Sequence, residues 1–223
     1  MGLFGYEFQL LQGVLVTIEV ALASAVIGTI LGVLGALGKM SRHRWLRYPV
    51  TALTDVLRGV PEFVILLICY FGLTNLLRHW LGVRVDVSPF VGGVFALSIV
   101  FGAYASEAFR GAFLGVPIGQ LEAAQAFGMR PMQVFFRIHL PQAWRLALPS
   151  LNNQWQNVLK DSSLVSVLGL EELMRKAQIG AQVTKHPFNF YLAAAFIYLL
   201  FLALSNPVFS FLERRANRGI PRR

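Results

Sequence analysis

Three stretches of this chain, 20–38, 87–106 and 187–212, contain no charged side chain. Each is about as long as the roughly 20 apolar residues that cross a hydrocarbon core about 30 Å thick. A water-soluble core has no room for three such segments, whereas a bilayer accepts them. The composition agrees: 56% of residues are hydrophobic and 14% charged, with a mean hydropathy of +0.58, against about 25% charged in a soluble domain. At 223 residues the length fits one transmembrane domain, 1–223.

Two less obvious spans complete the pattern. The stretch 63–77 reaches spanning length when extended back through 48–53, provided Asp55, Arg58 and Glu62 are tolerated. The stretch 146–168 is the most polar and contains Asn152, Asn153, Gln154, Lys160 and Asp161. The expected fold class is therefore all-α integral membrane, with five transmembrane helices. In the first span, Gly28, Gly32, Gly35 and Gly38 read as packing positions, since small residues let helices approach closely in lipid.

Basic residues set the expected orientation. Lys39, Arg42, Arg44 and Arg47 follow the first span. Arg130, Arg137 and Arg145 fall between the third and fourth, and Arg214, Arg215, Arg218, Arg222 and Arg223 close the chain. Five spans bring these three groups to one side, which the positive-inside rule makes cytoplasmic. On the other side, Arg78, Arg84, Arg175, Lys176 and Lys185 are offset by Asp86, Glu171 and Glu172. The N-terminus is expected outside and the C-terminus in the cytoplasm. The net charge of +9 is then mostly membrane topology, and no nucleic-acid partner is implied. The basic tail suits anionic membrane lipid.

Several site classes find no support. Cys69 is the one cysteine, which precludes an internal disulfide and argues against a metal site. His43, His79, His139 and His186 show no metal or catalytic spacing, so catalytic residues and metal ligands are both read as none. The run from Gly32 to Lys39 imitates a phosphate loop, but Val33 stands where its first glycine belongs and Met40 where Ser or Thr belongs. The N-terminus lacks the basic n-region of a signal peptide, and Glu7 sits early.

The segment 116–141 is too polar to span. It holds Glu122, Ala123, Ala124, Gly128, Ile138, Leu140 and Pro141 in the pattern E-A-A-x3-G-x9-I-x-L-P. Pro117 opens it and Pro141 closes it. Two short helices joined near 128–131 fit, because Pro131 suits a helix start and disfavours helix at Arg130, and a glycine at 128 permits the turn. A short exposed helix between two spans is a lever for a partner, with Glu122 placed to meet a partner's arginine.

This pattern resembles the cytoplasmic coupling loop, the EAA motif, of ABC importer permeases. Arg58-Gly59-Val60-Pro61-Glu62, the box from Ala103 to Ala112, Leu159-Lys160-Asp161-Ser162-Ser163-Leu164-Val165 and the closing Leu212-Glu213-Arg214-Arg215 are also similar to segments of the polar amino acid permeases. The match runs from about Thr17 onward. Within that family the chain looks most like permeases for histidine, lysine, arginine and ornithine, or for opines such as octopine and nopaline. The resemblance implies a type I ABC importer (MetI-like) fold working by alternating access. It implies no enzyme activity and no cofactor on this chain, with ATP and Mg held by two separate ATPase subunits. It further implies a substrate-binding protein and a second permease subunit, with a heterodimer favoured over a homodimer.

Acids inside spans are the other functional signal. A carboxylate at the bilayer centre costs about 2.5–3.5 kcal/mol on insertion scales, so it keeps a partner or a wet cavity. Glu19, Asp55, Glu62, Glu107 and Asp161 qualify. Glu107 and Asp161 lie in the boxes that the resemblance assigns to the substrate path, and two acids facing one cavity suit an ammonium or guanidinium. Gln154 and Asn153 are placed to complete its hydrogen bonds, with Glu19 nearer the outer interface. The alternatives are ion pairs: Asp161 with Lys160 or a neighbouring helix, and Glu107 with Arg110 at i,i+3. Arg58, Gly59 and Pro61 read as structural, with Arg58 paired to Asp55 or Glu62 and Pro61 kinking its span. Two other functions stay open: a permease of the same type for neutral or acidic amino acids, and an ion-coupled secondary transporter using those acids as relays.

Overall fold

The computed structural model describes residues 3–80 and 87–217, without the side chains of Arg78 and Trp80. Of the residues used above for orientation, Arg84, Asp86, Arg218, Arg222 and Arg223 lie outside the described ones. Every regular element among the described residues is helical. The long helix α1 (Glu7–Lys39) lies against α4 (Pro89–Leu114), the most buried helix and the centre of the bundle. Their approach is as close as the first span's glycines predict. A Cβ on Gly32 would stand 2.5 Å from the Ala105 Cβ, and one on Gly28 would stand 2.7 Å from Phe101. Gly35 and Gly38 meet Ser106 and Val50 in the same way.

The expected second span is broken, not merely kinked. Helix α2 (Arg44–Gly59) ends at Val60, which is extended at φ −97°, ψ 138°. Helix α3 (Glu62–Trp80) starts afresh beyond Pro61, and the two axes differ by 114°. Proline forces its predecessor out of the helical region and removes a ladder donor. Both Val50 and Asp55 of α2 lie at the tip of α1, against Gly38 and Lys39, so α2 crosses the end of α1.

Among the described residues, three helices can cross a membrane by length and composition: α1, α4 and α9 (Pro187–Ala216). The α2–α3 pair makes four if it is counted as one broken span. The expected fourth span forms as helix α7 (Leu140–Asp161), tightening to 3₁₀ over Ser162–Leu168. It falls short in apolarity because Gln154, Asn157 and Asp161 line a cavity and Asn153, Gln156 and Lys160 lie on its other faces.

Between α4 and α7 come α5 (Ile118–Ala126) and the single turn α6 (Pro131–Val134). The expectation that Pro141 closes this segment is not met. The chain runs from α6 through a wide π-turn, Phe135–His139, into α7 without a break. There Leu140 N–H donates to the Phe135 carbonyl five residues back. That extra residue relieves the clash a proline ring makes with the preceding turn.

Helix α8 (Leu173–Thr184) packs on α9 and on the start of α1 at the end of the bundle opposite Lys39. Its N-cap is Glu172, fully buried, whose carboxylate accepts from the Met174 and Arg175 N–H groups at 2.8 Å each. Outward faces of α1 and α9 expose Leu22, Val26, Ile30, Leu204 and Val208. So large an apolar surface marks contact with lipid or protein rather than water.

Candidate functional site

The segments containing Glu62 and Asp161 meet over the middle of α4. Their side chains line one cavity of about 250 Å³ together with Tyr104, Gln154 and Asn157, walled by Leu97 and Phe101. Glu62 stands in the first turn of α3, so the break at Pro61 delivers it there. Its Oε1 accepts from the Tyr104 hydroxyl at 3.3 Å. On α7, Gln154, Asn157 and Asp161 recur at helical spacing and form one polar stripe. The cavity therefore presents two carboxylates, two amides and a phenol, and among the described residues no cationic side chain lines it. An ammonium or guanidinium fits such a set, because it only donates and the site is rich in acceptors, and because it offsets one of the two negative charges.

The expected ligand set is divided. Asp161 and Gln154 line the cavity; Glu107, Asn153 and Glu19 do not. Asn153 points about a quarter-turn away from the 154–157–161 stripe and is exposed. Glu19 is exposed on α1. Glu107 lies one turn beyond Tyr104 and is occupied by cations. Its Oε1 accepts from Lys39, and its Oε2 takes Arg110 Nη2 at 2.8 Å and Nε at 2.9 Å. The local pair with Arg110 thus forms, but Lys39, 2% exposed at its side chain, is a partner the sequence does not announce. Arg58 closes the cluster, 4.0 Å from both Asp55 and Glu107, and lays its guanidinium over the Tyr104 ring at 5.5 Å. Gly59 is exposed at the end of α2, with open space around a built Cβ.

Glu62, Tyr104 and Asn157 belong to the cavity although no sequence motif selects them as ligands. The helical spacing of Asn157 to Gln154 and Asp161 was the available signal. Glu62 needed the 114° turn, which a proline announces without giving its angle.

A second surface lies at the end of the bundle carrying Lys39. Helix α5 exposes Glu122 and Ala123 and buries Ala124. It ends in a Schellman turn: Met129 N–H reaches the Ala124 carbonyl at 3.1 Å and Gly128 N–H that of Gln125 at 2.9 Å. Gly128 sits at φ +80°, the left-handed conformation this turn demands. The adjoining Phe127 is 90% exposed, a large ring with nothing of its own chain to cover it. Arg130 N–H donates to the Gln133 side chain at 2.9 Å, capping α6. Of the remaining motif residues, Ile138 and Leu140 are half-buried and Pro141 exposed on the continuous helix into α7. One His139 ring nitrogen lies 3.1 Å from the Phe113 carbonyl. The π-turn after α6 is thereby joined to α4 as well as to α7, two helices that wall the cavity.

Comparison with known proteins places these features. Residues 25–218 match the family described as binding-protein-dependent transport system inner membrane component. The chain is 43% identical to the histidine/lysine/arginine/ornithine transport system permease protein HisQ of Escherichia coli (strain K12), over 99% of this chain and 98% of that one. It is 45% identical to the nopaline transport system permease protein NocQ of Agrobacterium fabrum, covering 97% and 94%. A crystal structure of an amino acid ABC transporter with histidines superposes at TM-score 0.81 with 33% identity, covering 94% and 95%. The inward-facing MetNI methionine ABC transporter shares the fold at TM-score 0.75 and 18% identity, covering 95% and 97%.

Proposed function

This chain belongs to the family of binding-protein-dependent transport system inner membrane components, and from that premise we propose that it passes cationic amino acids or opines through the Glu62–Asp161 cavity. It is a multi-pass permease subunit of an ABC importer and not itself an enzyme, and it works with an ATPase and a substrate-binding protein. Two carboxylates in one cavity, lined by no cationic side chain among the described residues, carry the reading. The relatives named for histidine, lysine, arginine and ornithine and for nopaline support it. The same pair of acids disfavours glutamate.

The end carrying Lys39, α5 and Arg215 faces the cytoplasm, and the N-terminus lies outside. This follows from the basic residues gathered there. ATP and Mg are held by two ATPase subunits, whose grooves receive α5 through Glu122, Ala123 and Phe127. Their closure drives α5 and α6 as a lever on α4 and α7 and opens the cavity outward; hydrolysis resets it inward. A second, different permease chain completes the path.

The reading is tested in vesicles holding the complete transporter and its binding protein, by ATP-driven uptake of labelled arginine. Competition by lysine and histidine but not glutamate is the expected result, as is loss of that preference in Asp161→Asn. Competition by glutamate equal to that by lysine overturns it.

A further inference from the structure

The polar cavity has a wider neighbour. A groove of about 1350 Å³ lies between α1, α7 and α9, open to the side of the bundle. It follows α1 from Ile18 to Leu34 and α9 from Phe201 to Ala216, about 24 Å at 1.5 Å per residue. Its walls are apolar, and its two hydroxyls are already engaged. Thr29 donates to the Ala25 carbonyl at 2.6 Å, and Ser205 accepts from Trp155 at 2.9 Å while donating to the Phe201 carbonyl. An occupant along this length meets no free hydroxyl donor, so an apolar occupant suits it.

The basic end of the groove is different. Trp144, 41% exposed, stands at its mouth, and tryptophan favours the headgroup level of a bilayer. On α9, Arg215 continues the groove-lining stripe, three residues beyond Leu212 and seven beyond Val208. On the other wall, Arg137 stands in the π-turn that leads into α7, less than one turn ahead of Leu140. Both arginines are exposed, and among the described residues neither is in an ion pair.

We propose that this groove is a binding site for one anionic phospholipid. Its acyl chains lie between α1 and α9, and its phosphate is held by Arg137 and Arg215 beside Trp144. An apolar helix of a second permease subunit would also fill the groove, but it has no use for two guanidinium groups at the mouth. The groove joins α9 to α7, the helix that carries Asp161 and continues into α6. A bound lipid there bears on the element that links the lever to the cavity.

The experiment uses the complete transporter reconstituted with equal phosphatidylglycerol and phosphatidylethanolamine, then extracted and washed in mild detergent. Retained lipid is quantified by native mass spectrometry. The wild type is expected to keep phosphatidylglycerol several-fold over phosphatidylethanolamine. The double variant Arg137→Gln, Arg215→Gln is expected to lose that preference. Val208→Trp, which fills the groove from an exposed position, is expected to lower retention of both lipids. Unchanged phosphatidylglycerol retention in both variants overturns the proposal. So does efficient disulfide cross-linking of Val208→Cys to a cysteine on a second permease subunit, which assigns the groove to a protein interface. Both sets of substitutions lie at exposed positions, and an unaltered elution profile separates lipid loss from misfolding.

Discussion

The Tyr104 hydroxyl donates to Glu62 Oε1 at 3.3 Å, tying the start of α3 to the middle of α4. The bond holds one of the two cavity carboxylates at the wall and leaves its second oxygen for a ligand. Glu62→Gln and Asp161→Asn each remove a charge-assisted partner, worth about 1.5–3 kcal/mol. Each is expected to raise the KM for arginine roughly 10- to 100-fold, with a smaller effect on a neutral amino acid. Tyr104→Phe keeps both charges and is expected to change KM by less than about tenfold. Concentration-dependent uptake in vesicles reads all three. Equal losses for arginine and a neutral competitor return the two acids to structural roles.

Glu107 serves the opposite purpose, and its removal tests stability, not specificity. Glu107→Ala leaves Lys39, 2% exposed at its side chain, without its main partner. Breaking a buried pair costs about 3–5 kcal/mol, and the 24% exposure of Glu107 places this one near the lower bound. A clear fall in the thermal midpoint of the purified complex is expected. Replacing both residues, as Lys39→Met with Glu107→Met, is expected to recover much of it, and a double-mutant cycle gives the coupling. A changed ranking of substrates in Glu107→Ala would put this residue back in the ligand path.

The contrast between these acids shows what was legible in the sequence. The membrane class and the two-helix lever follow from uncharged runs and from the glycine and proline positions, which are local properties. The cavity is not local. Glu107 and Asp161 look equivalent as acids within spans, yet one meets Lys39, 68 residues away along the chain, and the other opens on a cavity. Only the angle between α2 and α3 and the depth of the α1 tip separate them. The polar stripe on α7 was readable by helical spacing, which picks out Asn157 over Asn153. The π-turn ahead of Pro141 was not, because a proline is compatible with either a helix start or a relaxed turn.

Gly128 offers a graded test of the lever. Its φ of +80° costs other residues roughly 1–2 kcal/mol, and Asn less because its short side chain tolerates the left-handed region. Gly128→Asn is expected to retain coupled transport, and Gly128→Val to lose the Schellman turn. Gly128→Asp adds a charge beside the exposed Phe127, on the surface proposed to dock the ATPase. ATP hydrolysis that continues without uptake in the Val and Asp variants is the expected signature. Normal coupling in Gly128→Val would mean the turn is not what positions α5.

Glu172 makes the pH dependence of the fold specific. It is fully buried between α1, α8 and α9, with the Thr17 and Tyr198 hydroxyls at 3.5 and 3.2 Å beside its two backbone donors. Burial pushes its carboxyl from the ordinary 4.5 up to about 7, and the hydrogen bonds only partly oppose that rise. The folded protein therefore binds a proton more tightly here than the unfolded chain does. The stability from this group is fully present below about pH 4.5 and is lost as pH rises through about 7. At 1.36 kcal/mol per unit the difference is at most about 3 kcal/mol. Glu172→Gln, which stays neutral, is expected to flatten the thermal midpoint between pH 5 and 8, read in detergent on the intact complex. A wild-type midpoint that rises with pH over that window, or a glutamine variant with the same slope, would show that the cap is already ionised when the chain folds.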